Sequence, residues 1–148
     1  MDNNYRDVRD DLSLKLFVVL SKTHIVIAEK VKNNIESHGL NLSEFAVLEL
    51  LFHKGEQAIQ QIGKRILLSS GSMAYVVDKL EKKKLLVRNR CPKDRRIIFV
   101  QIADEGRELI ECVFPKHQEE IGLMFDVLAD KEKETLIHLL KKLGLSIR

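Results

Sequence analysis

The chain has no tryptophan, two cysteines, two prolines and few aromatic residues, 5% in all. Each scarcity narrows the reading. Cys91 and Cys112 stand far apart, without the paired spacing of a metal finger, which argues against a zinc site and a structural disulfide. They are read as reduced thiols and as candidates for redox chemistry. With prolines only at 92 and 115, long helices can run almost unbroken. No apolar run approaches the ~18 residues that cross a bilayer. The opening stretch MDNNYRDVRDD is acidic and polar, unlike a signal peptide. A cytoplasmic protein without membrane contact is expected. There is no Gly-rich phosphate loop, no His-Glu-x-x-His and no nucleophile motif, so an enzyme is not expected. His117 and Glu120 are one helical turn apart, as metal ligands can be, but that spacing arises often by chance. Neither a metal nor a cofactor is expected.

The chain does hold enough apolar residues for a core: 45% of 148 residues, the size of one domain. Its net charge of +3 conceals an uneven distribution. Between Gln60 and Arg96 eleven cations face three acids, Asp78, Glu81 and Asp94, a net of +8 that leaves −5 for the rest. A basic segment in an acidic chain suits a polyanion. A merely solvated face would show the same charges, so their placement along the chain has to decide.

Residues Asp10 to Ser37 read as a first helix, with Leu12, Leu16, Val19, Thr23, Ile27, Val31 and Ile35 at steps of three and four. Leu14, Phe17, Val18, Ile25 and Ala28 add a second apolar face, which calls for a second packing partner, such as another subunit. Asn41 and Glu44 have the spacing of a capping box and open a second helix with Phe45, Leu48, Leu51 and Phe52 as its stripe. A very short strand at 57–59 is followed by a helix over Gln60–Leu67, a turn at Leu68-Ser69 and a helix from Ser70 to Lys83. In that last helix Met73, Val76, Val77 and Leu80 share one face, while Gly71, Tyr75, Asp78 and Lys82 point the other way. The run Lys82–Lys84 reads as a solvated helix end. Leu85–Cys91 and Ile97–Ile102 read as two strands around a Pro92-Lys93-Asp94-Arg95 turn. A long helix then starts at Ala103 or Asp104 and runs to about Leu128, with a kink expected at Pro115. A last helix from Asp130 is expected to bury Leu136, Ile137, Leu139, Leu140 and Leu143 and to stop at Gly144. The fold class is mainly α with a small β-hairpin wing: a winged helix-turn-helix over 41–102, flanked by helices at 10–37 and 104–148 that would dimerise.

This order resembles the MarR family of bacterial transcriptional regulators over nearly the whole chain. Four stretches carry the likeness: Leu40-Asn41-Leu42-Ser43-Glu44-Phe45-Ala46-Val47-Leu48; Ile62-Gly63 with Ser70-Gly71-Ser72; Asp78-Lys79-Leu80-Glu81 with Leu85-Leu86-Val87-Arg88; and Asp94-Arg95-Arg96 leading to Ile102-Ala103-Asp104-Glu105-Gly106. The last is similar to the family's Asp-x-Arg wing motif and the Leu-Thr-x-x-Gly that follows it. Ala103 departs from that pattern, standing where the family places a capping Thr, a task that Asp104 could take over. The cysteine near the start of the first helix that marks the peroxide-sensing branch is absent. The Gln60–Arg96 stretch is similar to the quinone- and hydroquinone-responsive branch.

The resemblance implies a homodimeric repressor of a pseudo-palindromic double-stranded DNA operator, released by a small aromatic or electrophilic effector. Ser70, Ser72 and Tyr75 would then face the major groove, Lys64 and Lys79 phosphates. Arg95 and Arg96 sit at the wing tip, and the resemblance makes Arg96 the arginine that reaches the minor groove, with Asp94 orienting a neighbouring arginine. The resemblance also implies an effector crevice, for which Phe17, His24, Phe52, His53, Phe114 and His117 are the candidates. Cys112, next to Val113, is expected to be buried and inert, and Cys91 the more accessible thiol. The competing reading is a winged-helix module that binds protein, or a regulator without an effector. Steep salt dependence of DNA binding separates the two.

Overall fold

The computed structural model describes residues 11–66 and 70–147. Helix α1 (Leu12–Glu36) is followed by α2 (Leu42–Lys54), a two-residue strand β1 (Gln57–Ala58), α3 (Ile59–Ile66) and α4 (Ser70–Lys82). The hairpin β2 (Leu86–Arg90) and β3 (Ile98–Ile102) leads to α5 (Asp104–Phe125) and α6 (Asp130–Ile147). The sheet is antiparallel in the order β1-β3-β2, with Arg88 opposite Val100 and Gln57 opposite that same Val100 on the other edge. The element order matches the sequence reading. The turn expected at Leu68-Ser69 lies outside the described residues.

Side-chain caps set several boundaries. Asp11 accepts the backbone N–H groups of Ser13 (2.9 Å) and Leu14 (3.2 Å), so α1 starts at Leu12. The capping box of α2 is complete: Asn41 Oδ1 accepts the Glu44 N–H (2.8 Å), and Glu44 Oε1 accepts the Asn41 N–H (3.3 Å). Ala103, not Asp104, is the N-cap of α5 and makes no side-chain capping bond. Asp104 is instead the first helical residue, where with Glu105 it meets the positive end of the helix dipole. Helix α5 runs through Pro115 without a break and ends at Phe125, three residues before the expected Leu128. Pro115 and Glu111 both lie on the exposed face, where the carbonyl left without a donor can turn to water. Helix α6 passes through Gly144 to Ile147 rather than stopping there. A glycine lowers helix propensity by only about 1 kcal/mol, which the leucines around it outweigh.

The core is built from Ile35, Phe45, Leu48, Leu51, Ile62, Met73, Val77, Leu80, Leu86, Val100, Ile110 and Val113. It lies between α2, α4, the sheet and the first half of α5. The inner face expected of α4, Met73, Val76, Val77 and Leu80, is buried. Helix α6 has no buried residue, so the burial expected of its leucines does not occur within one chain. On α1 the apolar residues Leu12, Leu16, Phe17, Val19, Ile25 and Val26 are likewise exposed. Among the described residues no helix is long and apolar enough to cross a membrane.

Among the described residues one charge is buried. Glu44 is 2% exposed, and its Oε2 accepts from Lys83 Nζ at 2.7 Å. Lys83 also donates to the Gly39 carbonyl (3.3 Å), so the middle lysine of the 82–84 run is a tie between α4 and the start of α2, not a solvated end. Beyond it Lys84 takes a positive φ of 61° that turns the chain into β2. At the far end of the hairpin, Ala103 N–H bonds to the Leu85 carbonyl (3.0 Å). Gly106 packs against that same carbonyl: a Cβ on Gly106 would lie 2.1 Å from the Leu85 oxygen.

Two stability predictions follow from these contacts. Lys83→Ala leaves the buried Glu44 carboxylate without its cation and is expected to cost about 3 kcal/mol in urea unfolding, with Lys82→Ala near zero. Equal effects of the two would remove the tie from the account. Gly106→Ala has to push backbone apart and is expected to lower stability by roughly 1–3 kcal/mol in the same assay. An unchanged midpoint would contradict the close packing.

Candidate nucleic-acid interface

Helix α4 turns its polar face outward. Ser70 opens it, and Ser72 follows on its exposed side. Tyr75 is 63% exposed, an unusual exposure for a large ring, and the Lys79 ammonium lies over it at 5.6 Å from the ring centre. The pair stands one helical turn apart and presents a flat apolar surface beside a cation. Lys64 and Arg65 are exposed at the end of α3.

The hairpin ends in a tip held by a single acid. Asp94 Oδ1 accepts the Arg96 backbone N–H (3.0 Å) and the Arg96 Nε–H (3.1 Å), while Oδ2 accepts from Nη2 (3.2 Å). The fork-on-carboxylate geometry fixes the direction of a side chain that is otherwise 91% exposed. The Arg96 side chain, then its backbone N–H, hold the Asp94 carboxyl below the ordinary aspartate range. A lowered folded pKa means that the pairing is complete above the usual aspartate value and is lost only as pH falls through the depressed one. Near neutral pH this pairing therefore stays intact. The neighbouring arginine that Asp94 pairs with is Arg96.

Four of the six ring residues proposed for a crevice come together. His53 and Phe114 meet edge-on at 4.8 Å, Phe52 and His53 at 5.1 Å, and Phe114 and His117 lie 6.4 Å apart. Two residues missed by sequence reasoning join them: Phe45, edge-on to His117 at 5.0 Å, and Arg107, whose guanidinium lies 5.5 Å from the Phe52 ring centre. Arg107 was findable, since it precedes Phe114 by two turns on one helix face. Phe17 and His24 are exposed on α1 and make no ring contact with this cluster among the described residues. The cysteines reverse their expected order: Cys112 is exposed and Cys91 half-buried. Cys112 precedes the buried Val113 by one residue, and 100° of helical rotation carries it out of the core. Among the described residues no group of three or more His, Cys, Asp or Glu side chains could hold a metal.

Sequence and fold comparisons give the lineage. The profile of the MarR family matches residues 40–98. The HTH-type transcriptional regulator MhqR of Bacillus subtilis (strain 168) is 52% identical over 136 residues, 92% of this chain and 94% of that protein. The chain belongs to the MarR family. It is thus a DNA-binding transcriptional regulator with a winged helix-turn-helix, not an enzyme. The MarR fold extends over the chain. AbsC, a MarR family regulator from Streptomyces coelicolor, superimposes with a TM-score of 0.84 at 19% identity, covering 90% of this chain and 92% of that one. BpsR of Bordetella bronchiseptica, whose DNA binding is regulated by 6-hydroxynicotinic acid, superimposes at 0.79 and 23% identity over 88% and 98% of the two chains.

Asp94→Asn tests the tip. The change removes a negative charge from the basic Gln60–Arg96 stretch, which by charge alone would tighten DNA binding. Loss of the fork is expected instead to weaken binding to the chain's own upstream DNA roughly tenfold, read by fluorescence anisotropy. Tighter binding would show that Asp94 orients nothing of use.

Proposed function

We propose that this MarR-family chain is a homodimeric repressor that binds a pseudo-palindromic operator and is released by a small aromatic effector. The observation that carries the dimer is the apolar surface left uncovered on both terminal helices. Leu12, Leu16 and Phe17 on α1 and Ile137, Leu139 and Leu145 on α6 are all more than half exposed. An open groove of about 400 Å³ on α6, lined by Leu128, Lys131, Glu132, Thr135, Leu136 and Leu139, belongs to the same surface. In this reading 10–37 and 104–148 are the dimerisation helices and 41–102 the DNA-binding lobe, in a cytoplasmic protein.

Each lobe covers one half-site, and two half-sites lie about one helical turn apart. Ser70, Ser72 and Tyr75 meet base edges in the major groove, Lys64 and Lys79 meet phosphates, and Arg95 and Arg96 reach toward the minor groove with Asp94 as support. The ring cluster of Phe52, His53, Phe114 and His117 bridges α2 of the lobe and α5 of the dimerisation unit. An aromatic molecule seated there in one arrangement and not the other would shift the balance between them. The control of BpsR by an aromatic acid supports this class of effector. The likeness of Gln60–Arg96 to the quinone- and hydroquinone-responsive branch narrows it to phenols and quinones.

The test is direct. The purified chain is expected to run as a dimer at micromolar concentration and to bind a duplex of its own upstream region with a steep loss on raising salt. Addition of a panel of phenols and quinones is expected to release it. A monomer in gel filtration would sink the dimer, binding insensitive to salt would favour a protein partner, and failure of the whole panel would remove the aromatic effector.

A further inference from the structure

All three acids of the basic Gln60–Arg96 stretch are joined to arginines. Asp94 takes Arg96 at the wing tip. Asp78 and Glu81 both take Arg88: Arg88 Nη2 donates to Asp78 Oδ1, and Arg88 Nε lies 3.7 Å from Glu81 Oε2. Asp78 and Glu81 are three residues apart on α4, hence on one face of it. Arg88 is at the centre of β2, and the period of two places it on the same side of the strand as the buried Leu86. Its side chain is 28% exposed, far less open than the tip arginine. One guanidinium thus joins the helix that carries Tyr75 to the hairpin that carries Arg96.

The base of the hairpin is held by the buried Leu86 and Val100 and by the Ala103–Leu85 bond, and Arg88 acts farther out. Strand β1 pairs only with Val100 and Phe99 of β3, leaving β2 as a free edge. The connection from α4 to β2 is three residues long and contains the positive-φ Lys84. The backbone bonds of that connection, Lys84 N–H to the Glu81 carbonyl (2.9 Å) and Leu85 N–H to the Leu80 carbonyl (3.0 Å), hold its start to α4 and do not reach the outer half of the hairpin. Beside the buried Leu80 and Leu86, Arg88 on its two acids is the ion contact that spans the joint on the side of α4 among the described residues.

We propose that Arg88 is a positioning residue: it fixes the angle of the wing to α4, and so allows one lobe to engage a major groove and the adjoining minor groove together. This rests on the DNA-binding reading given above. It assigns Asp78 and Glu81 a role that their charge alone would contradict, since free acids on a phosphate-facing helix weaken binding. It also takes Arg88 out of the set of phosphate contacts, although it lies in the middle of the basic stretch.

The two roles are separated by the variant Asp78→Asn with Glu81→Gln, measured against a duplex of the chain's upstream region and a scrambled duplex of equal length. If Arg88 were a phosphate contact, releasing it and deleting two negative charges would tighten binding to both duplexes. As a positioning residue it requires that affinity for the upstream duplex fall about tenfold while affinity for the scrambled duplex holds or rises, so that the ratio collapses. Arg88→Met is expected to cause the same fall, and Arg96→Ala added to it should cost far less than Arg96→Ala alone, because a wing that is no longer aimed gains little from its arginine. Both acids are about half exposed, so the double amide variant keeps its thermal midpoint even if Arg88→Met does not. A wild-type chain that does not prefer the upstream duplex overturns the DNA-binding reading itself. Preference in the wild type, kept undiminished in the double amide variant, overturns the brace alone.

Discussion

Glu44 carries a carboxylate into the core of the lobe, and the elements around it are arranged to meet that charge. Burial of an ion costs several kcal/mol, recovered only when its oxygens are fully engaged. Here one oxygen closes the capping box of α2 and the other meets Lys83 just beyond the end of α4. Lys83 in turn holds the Gly39 carbonyl, in the turn that follows α1. Three helices are thus referred to one point. The position of α4, and of the polar face it turns outward, is tied to it. A neutral residue in place of Glu44 would pack as well but would not specify where α4 ends.

The chain divides by how its surface is answered. Buried residues run from Ile35 to Val113, so the lobe is complete in a single copy. Most of α1 and all of α6 lie outside that span. Their leucines and valines meet water, whereas the polar side of α4 does so by design of its sequence. Apolar burial contributes about 25 cal/mol per Å². An exposed stripe over two helices is therefore a large unused driving force, and the proposed dimer is where it would be spent.

The lobe was largely legible in the sequence because its signals are local. Asn41 and Glu44 announce a capping box within four residues, and the spacing of Met73, Val76, Val77 and Leu80 gives the inner face of α4. The wing tip was legible for the same reason, since Asp94 and Arg96 are neighbours. What escaped involves long sequence separation. Lys83 reads as one of three equivalent lysines until α2 is placed beside it. Arg88 reads as one more cation until β2 lies along α4, although the i, i+3 acids on α4 were a signal that something basic would come to them. Four of the six crevice residues converge because they sit on facing stretches of α2 and α5, while Phe17 and His24 belong to a part of α1 that is exposed among the described residues. Cys112 was misplaced because adjacency to the buried Val113 was weighed above helical rotation. Gly144 was read as a stop because glycine is common after helices, but nothing in α6 required a turn there.

The joint at Leu85 gives the fold the mechanics of a lever. Its carbonyl is gripped by the Ala103 N–H and overlain by Gly106 with no room for a methyl group, so α5 cannot slide over the hairpin base. A tilt of α5 would therefore carry the hairpin base with it. A 22-residue helix is a rod of about 33 Å, so a tilt of ~5° about one end moves the other by roughly 3 Å. In the proposed dimer, two lobes swinging in opposite senses would double that displacement, against a groove repeat of ~34 Å. The crowding around one glycine would thus let an angular change of a few degrees become a mismatch on the scale of a base-pair step or more in that dimer.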